Sequence, residues 1–273
     1  MSSYRYSSLL PGPDSIRLLR LMPHEDKTAP IQCQLVNYSL QESGGGTHLY
    51  EALSYVWGDP KETLPISINK HNLPVTVDAI CINQADKKEK GHQVQSMAKI
   101  YGQANRVIVW LGEAADNSDQ ALEDIRVTAE GEFTNSLNNE KSQKAILKLL
   151  KRPWFRRIWV LQEVAAARRV LIMCGLAEIN GYTFYSGFNK LKLSYGAHPG
   201  LQGLIRSVTY VIRGAIFRPK YATSSLGGVS LGKLIDMYHT REATKRRDKV
   251  YALFGMSSDD PSAAGLSPNY EVP

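Results

Sequence analysis

Glu163 is the carboxylate whose neighbours best suit chemistry. On a helix beginning near Pro153, Arg156, Trp159 and Glu163 fall three and four residues apart and share one stripe. An acid beside an aromatic face and a guanidinium can act as a general acid or base, or hold a ribose hydroxyl. The same placement also suits a glutamate that satisfies a buried polar network or caps a neighbouring element. Ser54, Tyr55 and Trp57 fall at the end of a predicted strand, and Asp78, Asn83 and Gln84 fall within or just after another. Strand ends at a topological switch form crevices in open α/β sheets. These side chains are therefore candidates to line a nucleotide pocket, with Trp57 stacking on a base. The structural alternative puts Tyr55 and Trp57 in the core and Asn83-Gln84 in a turn. Arg247 and Asp248 are oppositely charged neighbours before an apolar run, where Arg247 either contacts a phosphate or joins a structural ion pair.

Other patterns fail on their context. Gly228-Val-Ser-Leu-Gly232 fits the GxSxG elbow of serine hydrolases, which needs a strand directly before the serine. Residues 222–227 are small and polar, and Ser230 reads better as the N-cap of a helix over 231–239. Glycines 44–46 lack a following Gly-Lys-Ser/Thr, so they make no P-loop, and no GxGxxG dinucleotide fingerprint occurs. Cys33, Cys81 and Cys174 are too scattered for a disulfide framework, and no histidine has metal-ligand spacing near them. No metal site and no bound cofactor are expected.

The chain has 273 residues, 43% hydrophobic and 22% charged, which is ordinary for a soluble globular protein. No Pro/Ser/Gly-rich linker divides it, so a single domain over 1–273 is expected. Its apolar runs are far shorter than the ~20 residues of a membrane span, and residues 1–10 do not resemble a secretory signal. A cytoplasmic location follows as the expectation. Net charge is +7, gathered in residues 151–157, Arg168-Arg169 and 245–249. A solvated basic face is the plain reading of that excess. No zinc finger or RNA-recognition signature accompanies it, so nucleic acid is disfavoured as a partner.

The positioning elements follow from periodicity. Residues 15–21 and 31–36 read as strands, with 44–46 a loop tip. Residues 50–57 form an aromatic and apolar run that stops at Gly58-Asp59-Pro60. Residues 66–68 and 73–75 flank 69–72 as a small hairpin, and 77–82 reads as a buried strand. Asp86 and Glu89 have capping-box spacing for a helix on which Val94, Met97, Tyr101 and Ala104 recur. A strand over 106–111, helices over 118–129 and 141–150, and a new helix from Pro153 come next. Phe155, Ile158, Trp159 and Gln162 mark one face of that helix. A strand over 170–173, helices over 201–217 and 231–239, and an apolar piece over 249–256 complete the pattern. Strands alternating with helices predict a three-layer α/β or α+β domain.

Four stretches together resemble the fungal heterokaryon-incompatibility (HET) domain family. They are Tyr50-Glu-Ala-Leu-Ser-Tyr-Val-Trp-Gly58, then Val77-Asp-Ala-Ile-Cys-Ile-Asn-Gln84 running through Gln93-Val94, Met97, Ile100-Tyr101 and Ala104 to Val109-Trp-Leu-Gly112. The third is Trp154-Phe-Arg-Arg-Ile-Trp-Val-Leu-Gln-Glu163, and the last is Arg241-Glu-Ala-Thr244 with Arg247-Asp-Lys-Val-Tyr-Ala-Leu-Phe-Gly255. Their family order over 50–256 makes the resemblance specific.

The resemblance implies a module of self/non-self recognition that triggers regulated cell death, through self-association or protein partners. Family similarity to Toll/interleukin-receptor-like (TIR) domains implies a mainly parallel, TIR-like core sheet elaborated by C-terminal helices. It also implies an alternative in which the chain is an enzyme that cleaves NAD as substrate, with Glu163 as the acid and Trp57 near the nicotinamide ring. The chain departs from the family at Thr76, which runs straight into Val77-Asp78 where members carry a helix and the start of a strand. A parallel crossover needs about a dozen residues, so residues 73–75 and 77–82 cannot be joined parallel strands. The first crossover helix is expected to be missing, and an inactive remnant is the third reading.

Overall fold

A computed structural model describes residues 6–9, 12, 14–22, 32–40, 49–58, 75–131, 140–191, 193, 199–217, 229–260, 263 and 265–271. The glycines at 44–46, Asp59-Pro60, the hairpin expected over 66–72 and Gly228 lie outside these residues. Strand β1 (Ser15–Met22) pairs antiparallel with β2 (Gln32–Ser39) along its whole length. The core strands are β3 (Glu51–Ser54), β4 (Val75–Thr76), β5 (Val107–Trp110) and β6 (Val170–Cys174), and β7 (Ala177–Asn180) closes the far edge. The spatial order is β2-β1-β4-β3-β5-β6-β7, with β4, β3, β5 and β6 mutually parallel and the outer pairings antiparallel. In chain order the parallel strands stand 2-1-3-4. The chain therefore steps from β3 outward to β4, then crosses back to β5. The C-terminal ends of β3 and β5 meet at that switch, where an open sheet leaves a crevice.

The helices are α1 (Asp78–Cys81), α2 (Lys87–Gln95), α3 (Met97–Gln103), α4 (Ser118–Glu130), α5 (Glu140–Leu150), α6 (Trp159–Ala166), α7 (Gly181–Lys190), α8 (Pro199–Phe217), α9 (Leu231–Tyr238) and α10 (Asp248–Tyr251). Successive strand residues face opposite sides of a sheet. Ala52, Val107, Val109, Val170 and Ile172 accordingly join one large core with side chains from α3 to α9. Leu53 and Ile108 point the other way, into a small cluster with Leu19, Val77 and Cys81. Among the described residues the only helix contributing to that second cluster is the single turn α1, with Tyr55, Trp110 and Met173 half-buried around it. Among the described residues the second helical layer of a three-layer fold is correspondingly slight.

Most expected elements are present, with two corrections. Residues 77–82 are not a strand. The N–H groups of Ile80 and Cys81 return to the Val77 carbonyl at 3.0 and 2.7 Å, and Ile82 N–H returns to Asp78. Burial falls on Val77 and Cys81, four apart, while Ile80 is exposed, which is a helical period. A run this short carries too little periodicity to tell strand from helix turn. Strand β4 therefore ends at Thr76 and α1 begins at Asp78, with the β3–β4 connection passing through residues 59–74, outside the description.

The second correction concerns the helix from Pro153. Pro153–Arg156 is a 3-10 turn, Arg157 is extended (φ −63°, ψ 140°), and α6 starts only at Trp159. Backbone pairing with the Arg241-Glu-Ala-Thr segment breaks the helix, because Ile158 N–H donates to the Glu242 carbonyl and Glu242 N–H to the Arg156 carbonyl, both at 2.9 Å. Arg156 is thereby swung off the Glu163 stripe. Strand β7 and helix α7 are additions to the expected set, and the Asn180 side chain caps α7 by accepting from Thr183 N–H at 2.8 Å.

Motif residues brace the switch. Tyr50 hydroxyl donates to the Ile100 carbonyl at 2.5 Å, and Tyr101 hydroxyl donates to the Leu53 carbonyl at 3.0 Å, tying β3 to α3 in both directions. Asp86 caps α2, but Glu89 does not return to the cap; it accepts from Arg17 at 2.6 and 3.0 Å. Arg241, 1% exposed, donates to the carbonyls of Phe155 at 2.7 Å and Leu204 at 2.6 Å. It thus pins the 3-10 turn to α8 without any carboxylate. Arg241→Met should destabilise the fold by about 3 kcal/mol, because buried carbonyls lose a charged donor. An unchanged urea midpoint would contradict this role.

Candidate functional site

A cavity of about 520 Å³ opens beyond the C-terminal ends of β3 and β4, within the size range of small-molecule sites. Glu163 and Trp159 from α6 line it, with Trp57 beyond β3, Asp78 from α1 and Gln84 from the turn before α2. Five of the expected site residues therefore converge. Ser54 and Tyr55 stand behind the wall rather than in it. They occupy successive positions at the end of β3 and so face opposite sides of the sheet.

Ser54 faces α6. The indole N–H of Trp154 donates to Ser54 Oγ at 2.8 Å, and the Ser54 hydroxyl donates to Glu163 Oε2. Ser54, Trp154 and Glu163 are all buried, with Glu163 2% exposed. Burial pulls the Glu163 carboxyl up from 4.5 to about 7, against the opposing pull of Arg157 and the Ser54 hydrogen bond. Tyr55 faces the other way, towards Asp78. Burial raises Asp78 above the ordinary carboxylate range, while Arg157, the Trp57 and Tyr55 side chains and the Ala79 amide oppose that shift. The Trp57 indole donates to both Asp78 oxygens at 3.1 Å. Arg157, which donates to the Tyr55 carbonyl, exerts its charge on both acids.

Three expected site residues do not reach the cavity. Arg156 is exposed and faces Glu242 at 3.6 Å. Asn83 is occupied in its turn, where its side chain accepts from Ala85 N–H and its amide donates to Glu89. Arg247 donates to the Asn269 carbonyl at 2.8 Å and does not line the cavity. Other lining residues were missed, among them Arg157, Lys90, Lys245 and Tyr270. Arg157 is adjacent to the arginine chosen on helical spacing, and the broken helix selects it instead. Lys90 sits on the capped helix α2, and Lys245 belongs to a basic run that reads as solvated. Tyr270 lies beyond the last motif, with no local signal.

Gln162, next to Glu163, anchors the final motif. Its side-chain oxygen accepts from Gly255 N–H at 3.0 Å. A Cβ at Gly255 would sit 2.3 Å from Ala98 Cβ, so only glycine permits α3 and α6 to close on this segment.

The raised carboxyl couples the site to stability. The folded chain holds the Glu163 proton more tightly than the unfolded chain. Stability from this group is therefore complete below about pH 4.5 and falls as pH rises through about 7. Glu163→Gln keeps an acceptor for Ser54 and removes the buried charge. It should be more stable than the native chain at pH 8, by up to about 3 kcal/mol, and the gap should shrink steeply towards pH 5. Urea unfolding at both values checks this, and a variant less stable at pH 8 contradicts it.

The heterokaryon incompatibility protein (HET) family model matches residues 74–163, which contain the second and third motif stretches. The chain is also similar to heterokaryon incompatibility protein 6, OR allele, of Neurospora crassa, at 24% identity over 360 residues. That alignment covers 98% of this chain and 51% of the relative, so the chain spans about half the length of the curated relative it matches. It is longer than the 273 residues of this chain, so the relative carries residues within it that this chain lacks. No solved structure matches. The motif stretches meet at one centre, and the family model covers the heart of them: residues 74–163 match the heterokaryon incompatibility family, and the chain as a whole is similar to a heterokaryon incompatibility protein.

Proposed function

We propose that the chain is an effector module of heterokaryon incompatibility, a self/non-self recognition response ending in regulated cell death. We place its activity in the cavity beyond the ends of β3 and β4, where the reading supported best is cleavage of the nicotinamide–ribose bond of NAD. The observation that carries this reading is Glu163: a buried carboxyl that accepts from Ser54, itself held by Trp154, and lines a cavity with aromatic walls, where burial pushes its pKa up to about 7. A general acid or base works best with a pKa near the operating pH.

The chemistry is compact. The C–N bond to the nicotinamide breaks with its electron pair going to the departing ring, which leaves as a neutral molecule. Positive charge develops on the ribose, and ionised Glu163 stabilises it. Water then adds to the sugar carbon and gives up a proton, for which Glu163 is the acceptor. The products are nicotinamide and ADP-ribose. Trp57 and Trp159 offer flat faces to the ring, and Arg157 keeps a fraction of Glu163 ionised near neutral pH. No described helix is long and apolar enough to cross a membrane, and the proposed place of action is the cytoplasm.

Purified chain should consume NAD and release nicotinamide. Glu163→Gln should lower the rate by about 100-fold or more while remaining folded by circular dichroism. Equal rates in the two proteins, or no turnover by a folded native chain, would remove the enzymatic reading. Self-association or partner binding would then be left as the trigger of death, and killing should survive the substitution.

A further inference from the structure

We propose that Lys90 and Lys245, gathered around Tyr270, form a phosphate-binding end of the cavity, so that its ligand is a phosphorylated nucleoside rather than a nucleoside. This inference rests on reading the cavity as a nucleotide site, and it names the end of the cavity and the side chains that hold the ligand's phosphate. Both lysines line the cavity. Their ammonium groups lie 5.1 and 5.5 Å from the centroid of the Tyr270 ring, and the Arg247 guanidinium carbon lies 6.0 Å from it, so three cations gather around one aromatic ring. Lys90 also lies 5.9 Å from the Trp57 ring centre.

Four acids line the cavity and none pairs directly with these lysines: Glu163 accepts from Ser54, and Glu242 faces Arg156 at 3.6 Å. Asp248 accepts the Tyr270 hydroxyl at 2.8 Å, and Asp78 is taken by the Trp57 indole. Lys90 donates to the neutral Gln84 side chain at 2.9 Å. Among the described residues neither lysine forms an ion pair with a carboxylate. With only neutral direct partners, the two ammonium groups keep donors available to an anion from outside. Burial and the charge of Lys245 both push the Lys90 pKa down, although Asp248 and Asp78 push the other way. A phosphate between the ammonium groups relieves that repulsion.

The subsite is also preformed. Arg247 grips the Asn269 carbonyl, and the Pro268 carbonyl rests on Gly91 of α2, where a Cβ would come within 2.6 Å of it. Only glycine allows the segment bearing Tyr270 to lie this close to the turn of α2 that carries Lys90.

Isothermal titration of the full chain with ADP and with adenosine tests the proposal. ADP should bind about tenfold more tightly than adenosine. Lys90→Met and Lys245→Met should each weaken ADP by about tenfold and leave adenosine unaffected. Gly91→Ala keeps both lysines and displaces the Tyr270 segment, so it should weaken ADP in a chain that circular dichroism shows folded. Equal affinities for the two ligands, no binding of either, or ADP affinity indifferent to both lysine substitutions would overturn the proposal. NAD turnover separates it from the reading on which it rests. If NAD is not consumed but ADP still depends on the lysines, the phosphate end stands and the cleavage reading falls.

Discussion

A buried hydrogen-bond relay, from the Trp154 indole to Ser54 and from Ser54 to Glu163, is the constraint around which the domain is arranged. Ionising a carboxyl away from water costs several kcal/mol unless fixed dipoles replace the water. The relay supplies one donor in a rigid position, and Arg157 supplies charge. That is enough to keep Glu163 near its titration midpoint at neutral pH, and too little to return it to its ordinary value. Three separate chain segments deliver the parts: Ser54 from the end of β3, Trp154 from the 3-10 turn and Glu163 from α6. None could shift without uncoupling the others.

The surrounding braces hold those segments in place. Tyr50 and Tyr101 lock β3 to α3, Arg241 locks the 3-10 turn to α8, and Gln162 locks α6 to Gly255. The backbone pairing of Arg157 with Glu242 does two jobs. It breaks the helix so that Arg157 faces the acids, and it brings the segment from Glu242 to Lys245 to the mouth of the cavity. The four motif stretches thus share the work, with most of their residues building the wall and a few facing the cavity.

Much of this was legible in the sequence, where an element is long enough to show its period. The spacing marks Val94, Met97, Tyr101 and Ala104, and all four are buried. Ser54, Trp57, Asp78, Gln84, Trp159 and Glu163 were marked by their positions at strand ends and on the third motif, and they meet. The failures have physical causes. Residues 77–82 are too short for periodicity, so tertiary packing decides between strand and turn. Arg157 replaces Arg156 because a long-range backbone bridge overrides local helix propensity, which no local pattern reports. Tyr270 reaches the cavity through a glycine contact 179 positions earlier in the chain, a pairing that exists only in three dimensions.

The central claim is that Glu163 is a buried, Ser54-supported acid titrating near neutrality. Carbon-13 NMR of glutamate side-chain carboxyls, recorded against pH in the native chain and in Ser54→Ala, addresses it most directly. The account expects a native midpoint near pH 7 that moves higher in Ser54→Ala, because the lost hydrogen bond favoured the ionised form. A native midpoint at the ordinary glutamate value of about 4.3, indifferent to Ser54, would contradict it.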